Sequence, residues 1–328
     1  MEIKSLKLHE NNDEFRAAIG EAARHIKLPA HVVEKDYWVT KLLYNLHAYK
    51  DKQYVIFKGG TSLSKGYRLI NRFSEDIDLA LHPEGIGKGK IHTKESKALY
   101  RVVQHLKDSS FKQEEEGKES KEKRYKRVYT FPQNFDYPEN SQIHGKIVLE
   151  INSFSTPIPT EFVEIKSLVS EYLERTYGID VLEELELKPF TLKALQPERA
   201  FCEKLLAVRR ANHEGGEFFK QRIRHVYDIH QLFNSDRIKN WLTNPNGFFD
   251  MLNKCYKDDE INQKISQKVA PDFNSFDIYR NPKAEIESVK MAYEGLKDIT
   301  FDKSVPEINE VAKNLEKINH ILNGFELS

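Results

Sequence analysis

Apolar positions along this chain recur with two periods, and the change from one to the other divides it. Over residues 12–49 the apolar side chains return every three or four positions. Phe15, Ala18, Ile19 and Ala22 form one stripe, and after a break at Leu28-Pro29 the set Val32, Val33, Tyr37, Val39, Leu42, Leu43 and Leu46 forms another. This spacing predicts two helices with one buried face each. A short apolar run, Tyr54-Val55-Ile56-Phe57, then leads into Gly59-Gly60-Thr61-Ser62, which predicts a buried strand and a glycine turn into a helix N-terminus. Beyond a basic segment, Asp76 and Asp78 alternate with Ile77 and Leu79, the two-residue period of a strand. Further strands are expected over residues 128–131, 145–151 and 162–165, and helices over 93–107 and 167–177, the last ended by Gly178. From Pro189 onward the pattern is helical without clear strands, closing with Ile308, Val311, Leu315, Ile318 and Leu322 on one stripe.

The same stretch that shows the change of period also carries the chemistry. Strand side chains alternate between faces, so Asp76 and Asp78 share one side while Ile77 and Leu79 anchor the other. Two adjacent carboxylates repel unless a cation neutralises them, and Mg²⁺ takes oxygen ligands while leaving positions for waters and phosphates. Glycines let backbone approach a phosphate, and a helix N-terminus offers N–H groups and the positive end of a dipole. A Gly-Gly alone is usually a turn and an Asp-x-Asp alone is usually a solvated edge; strand, GG[ST], helix and Asp-x-Asp in that order describe a site for a metal-bound nucleoside triphosphate. No G-x-x-x-x-G-K-[ST] occurs, so a Walker A loop is excluded.

This order is the signature of polymerase-β-type nucleotidyltransferases, and the words KGGTSLSK and RFSEDIDL make the chain resemble the AbiEii family of nucleotidyltransferase toxins. VEKDYW, at Val33–Trp38, resembles a recurring element ahead of the glycine turn, where Lys35 or Asp36 could face a cleft; charged residues beside an aromatic anchor are the plainer reading. The resemblance, strongest over residues 34–81 and 197–232, implies an α/β (α+β) fold: a polymerase-β-like lobe with a mixed sheet over residues 1–190, then a helical lobe over 191–328, with the site between them. It implies metal-assisted transfer with Asp76 and Asp78 holding Mg²⁺ (or Mn²⁺), and with Gly59, Gly60, Thr61 and Ser62 cradling the phosphates of the NTP substrate. Glu150, a lone carboxylate in the apolar strand GKIVLEI, is either a third metal carboxylate or an edge glutamate facing water.

Lys204 lies in ERAFCEKLLAVRR with Ala200, Phe201, Ala207 and Val208 as its helical neighbours. A lysine within that stripe either snorkels or projects as a point charge toward a triphosphate, and the family carries a functional lysine in a helix of this wording. QRIRHVYDIHQLF resembles the family's closing motif: Asp228 matches the final aspartate, to orient Lys204 or hold the nucleotide, while His225 stands where an aspartate is common. The alternative for Asp228 is an exposed residue pairing with Arg224. Arg209, Arg210, Arg222 and Arg224 place positive charge on these helices, for phosphates or for solvent. The acceptor implied by the family is RNA, most simply a tRNA 3′ end, with growth arrest as outcome and an AbiEi-like antitoxin as partner.

Composition narrows the rest. Among 328 residues, Lys+Arg and Asp+Glu are equal at 51 each, so net charge gives no argument for nucleic acid and any basic surface is local. The run KQEEEGKESKEKRYKR reads as a solvated hairpin tip, or else its Lys121, Lys123, Arg124, Lys126 and Arg127, with Tyr125 and Tyr129, meet an RNA backbone. GIGKGK, at residues 85–90, reads as a loose surface loop, or else its glycines and lysines brush a phosphate. Only Cys202 and Cys255 are present, and neither a signal core nor a membrane span is visible, which leads to the expectation of a cytoplasmic protein with no membrane partner. Two other functions use the same residues: a carboxylate–metal nuclease or phosphohydrolase, which needs neither the glycine turn nor Lys204, and a non-catalytic module that senses NTP.

Overall fold

The computed structural model describes residues 7–86, 91–121, 123–139, 142–263, 272–323, 325 and 327. The chain forms two compact units. The first takes in the chain up to Gly66, then Ser74–Ser153 and Thr160–Ala194; the second takes Tyr67–Phe73, Phe154–Pro159 and the chain from Leu195 on.

The first unit is built on a mixed seven-stranded sheet. Its strands are β1 (Val55–Lys58), β2 (Ile77–Leu81), β3 (Lys112–Lys121), β4 (Arg124–Thr130), β5 (Lys146–Asn152), β6 (Thr160–Ile165) and β7 (Phe190–Leu195), in the spatial order β3-β4-β5-β2-β1-β7-β6. β1 runs antiparallel to β2 and parallel to β7, while β2 runs parallel to β5. The central strands β1 and β2, each with one antiparallel and one parallel neighbour, are short and apolar and are buried along most of their length. β7 corrects the expectation that no strand follows Pro189. Its inward residues Phe190, Leu192 and Ala194 alternate with Thr191 and Lys193, a period-two pattern too short to stand out beside the helices that follow. The charged run after residue 111 is the β3–β4 hairpin, with an irregular register between Glu114 and Glu119.

Two N-terminal helices, Asn12–Ile26 and Ala30–His47, belong to this unit. Asn11 caps the first, its side chain accepting from the Glu14 amide. In the second, Val33, Tyr37, Trp38 and Val39 are fully buried, each side chain contributing about 1.5–3 kcal/mol by leaving water. The same helix buries Glu34, Lys35 and Asp36, which cost free energy to desolvate unless each finds a partner.

The second unit is helical. Helices Pro197–Glu214 and Gly216–Asn234 pack on each other, joined at Gly215, whose φ of 69° suits a residue without Cβ. Helices Asp236–Leu242, Pro245–Gln263 and Ile308–Leu322 complete its core with Phe201, Phe248 and Leu315. Among the described residues no helix is long and apolar enough to cross a membrane.

Candidate active site

β1 ends at Lys58, which lies opposite Asp78 in the antiparallel register with β2. At Gly59 the chain leaves the strand with φ of 77°. A Cβ there would stand 2.1 Å from Asp78 Oδ2 and 2.8 Å from its Cγ. Glycine is therefore required twice, by the left-handed backbone and by the carboxylate seated against it. The turn continues as a helical stretch through Gly59–Thr61 and a π turn over Ser62–Gly66.

Thr61 and Ser62 face inward, each about 1% exposed. The Thr61 hydroxyl donates to the carbonyls of Ser74 (3.2 Å) and Asp76, and the Ser62 hydroxyl donates to the Gly59 carbonyl at 3.0 Å. The Thr61 hydroxyl ties the turn to the segment that leads into β2, and the Ser62 hydroxyl ties the turn to itself; Gly59 and Gly60 are half-buried. Asp76 comes one residue before β2 and Asp78 is its second residue. Ile77 and Leu79, at 1% and 0% exposure, hold the opposite side in the core, leaving both carboxylates half-buried.

Glu150 lies on β5 in register with Asp78. Arg124 Nη2 donates to it at 2.8 Å and Lys126 Nζ lies 3.9 Å away. Glu150 thus stands beside the aspartates as an ion-paired group. Among the described residues no cluster of three metal-ligating side chains is assembled, so the structure brings together Asp76, Asp78 and the glycine turn without closing a three-carboxylate set.

Lys204 and Asp228 belong to the second unit and are joined directly, Nζ to Oδ2 at 2.7 Å. Asp228 is fully buried and takes a second cation: Arg72 donates from Nε at 2.7 Å and Nη2 at 2.8 Å, a bidentate fork. Burial acts to raise the Asp228 carboxyl, and the charges of Arg72 and Lys204 outweigh it, holding the group well below the usual range. Lys204 is pushed down by burial, with Asp228 opposing the shift. His225 Nδ1 lies 3.3 Å from Lys204 Nζ, and burial followed by that neighbouring charge pushes its imidazole well below 6.5. The exposed Asp228–Arg224 pair considered from sequence does not form; the partner is Arg72, 156 residues away, and no local spacing signals it. The segment Tyr67–Phe73 that carries Arg72 is held in the second unit by the Phe73 amide to the Ile299 carbonyl (2.7 Å) and by the Tyr227 hydroxyl to the Asn71 carbonyl (3.2 Å).

Several basic residues prove to be structural. Arg209 is buried among Tyr256, Phe273 and Phe276, and Arg210 pairs with Asp259. In the hairpin, Arg127 stacks on Tyr125, whose hydroxyl meets that of Ser96, and Tyr129 is in the core, so these aromatics are not displayed for base stacking. Residues 87–90 of the GIGKGK loop lie outside the described residues.

A family model described as nucleotidyl transferase AbiEii toxin, type IV toxin–antitoxin system, matches residues 41–308. Among solved structures, the chain is similar to the nucleotidyltransferase toxin MenT4 of Mycobacterium tuberculosis H37Rv, with 17% identity and a TM-score of 0.48 over 93% of this chain and 97% of that one. No curated protein matches. With a family model spanning most of its length, over both the glycine turn with its aspartates and the Lys204–Asp228 pair, the chain belongs to the AbiEii nucleotidyltransferase toxins of type IV toxin–antitoxin systems.

Proposed function

We propose that this nucleotidyltransferase moves a nucleotide from an NTP to the 3′ end of an RNA, with tRNA as the acceptor, and that the modification arrests growth or aborts phage infection. The observation that carries the reading is the Asp78 carboxylate seated against the Gly59 backbone, with Asp76 tied to the same turn through Thr61. A triphosphate lying on that backbone would meet both carboxylates. The donor set is hard oxygen on a rigid strand, which fits Mg²⁺, an ion commonly held by one or two carboxylates plus substrate phosphates. Mn²⁺ fits the same set.

Asp76 and Asp78 would hold the ion, and Glu150, paired with Arg124, would contribute charge beside them. When bound, the ion supplies Lewis acidity toward the phosphates and lowers the pKa of the attacking hydroxyl. The turn residues Gly59 and Gly60 present backbone to the β- and γ-phosphates, and Thr61 and Ser62 keep that backbone in place. Lys204 is assigned to neutralise charge as pyrophosphate leaves, oriented by Asp228. The reaction belongs in the cytoplasm, where tRNA and NTP are found, with an AbiEi-like antitoxin as the opposing partner.

The test is incubation of the purified protein with total tRNA, Mg²⁺ and each α-labelled NTP in turn, beside Asp78→Ala. Label on RNA that the variant fails to transfer supports the reading and names the nucleotide. Shortened RNA without NTP would favour a nuclease. No label from any NTP, with NTP still bound, would favour a sensing module.

A further inference from the structure

Glu34, Lys35 and Asp36 are consecutive in the Ala30–His47 helix and are 0%, 0% and 4% exposed. Successive residues of a helix point about 100° apart, so three adjacent charges cannot share one face. Each must find its partner in a different direction. Glu34 accepts from the Asn134 amide at 2.7 Å. Lys35 donates to the Glu75 carboxylate and to the His144 carbonyl. Asp36 accepts from Lys65 Nζ at 2.6 Å and from the Leu168 amide at 2.6 Å.

Two of these partners are the chain neighbours of the site. Glu75 immediately precedes Asp76, and Lys65 lies on the π turn that extends the glycine turn. One turn of one helix therefore grips both halves of the motif, all within the first unit. Stability does not explain the arrangement, because well-packed apolar side chains in place of a buried ion pair are often neutral or stabilising. Lys35 also neutralises Glu75, which keeps that carboxylate from competing with Asp76 and Asp78 for a cation.

We propose that Lys35 and Asp36 are positioning residues for nucleotidyl transfer, bracing Asp76 and the Gly59–Gly66 turn in the relative geometry the reaction needs. The proposal rests on the reading of Asp76 and Asp78 as the metal pair. Removing a group that supports a metal ligand typically lowers metal affinity or activity by about 10–100-fold.

The experiment uses the full-length protein with the double variant Lys35→Met/Glu75→Gln, with Asp36→Asn, with Arg237→Met as a control for loss of an ion pair within the second unit (to Glu198), and with Asp78→Ala. Thermal melting, kcat and KM for the NTP are measured, together with Mn²⁺ affinity by calorimetry in the absence of substrate. The double variant and Asp36→Asn should bind Mn²⁺ about 10–100-fold more weakly and lose kcat to a similar degree, with little change in KM, by the same supporting-group rule. Arg237→Met should keep wild-type Mn²⁺ affinity even where its melting temperature falls as far. Wild-type kcat and Mn²⁺ affinity in the braced variants, with Asp78→Ala inactive, would overturn the brace and leave the site reading standing. A loss in them no larger than in Arg237→Met at equal melting temperature would overturn it too. Full transfer by Asp78→Ala would remove the site reading and the brace with it. Should the double variant not fold, Lys65→Met decides by the same two readouts.

Discussion

Asp78 and Asp228 both belong to motifs of a nucleotidyltransferase, yet their surroundings are opposite. Asp78 is half-buried on a short strand, its carboxylate resting on a glycine that has no side chain to crowd it. Asp228 is fully buried in a long helix and bonded by Arg72 through two nitrogens and by Lys204 through a third. The first acid is only half-buried. The second is bonded by three nitrogens from within the protein. A shared residue type thus sits in two environments, and burial separates them.

That contrast can be broken experimentally. The largest effect is expected from Gly59→Ala: the added methyl meets the Asp78 carboxylate, and displacement of a reacting group by about 1 Å can cost about 10²-fold in rate. Transfer should fall by at least that factor while circular dichroism stays native; wild-type activity would show that Asp78 has room to move. Arg72→Met should act mainly on stability. It strips the bidentate partner from a buried carboxylate, a loss of about 3–5 kcal/mol on urea unfolding. Lys204→Met leaves the Arg72 fork intact and should cost less, about 1–3 kcal/mol, while kcat for transfer drops. If Lys204→Met instead unfolds the protein and leaves kcat per folded molecule unchanged, its role is structural.

The smallest effect is in pH dependence. His225 sits well below 6.5 when folded, so between that lowered value and 6.5 the unfolded chain binds a proton that the native ring refuses. Stability therefore falls as pH drops through 6.5, by at most about 1.4 kcal/mol per pH unit for one such group. His9, His31, His47 and His230 are lowered as well and share this limb. His225→Gln should flatten it by one group's share in melting curves between neutral and mildly acid pH. Asp228 contributes elsewhere: its stabilisation is complete above the ordinary aspartate value of 3.8 and is lost as pH falls from there toward its depressed folded value.

The first unit was readable residue by residue where a local rule sufficed. Tyr54 to Leu79 shows strand, glycine turn and alternating carboxylates because each follows from a period or a conformational need within a few residues. β7 was missed because six residues between stronger helical signals carry little periodic information. The Thr61 and Ser62 hydroxyls, expected to face phosphate, tie the turn to itself and to β2, which sequence spacing does not encode.

By itself the sequence determined the family, the mixed α/β start and helical remainder, and the identity of the acidic pair beside the glycine turn. These depend on order, spacing and side-chain type, which one dimension contains. Only the tertiary structure decided which charges are spent on one another: Glu150 with Arg124, Asp228 with Arg72, Lys35 with Glu75 and Asp36 with Lys65. Ion pairing acts over a few ångströms whatever the separation along the chain, so folding alone chooses the partner.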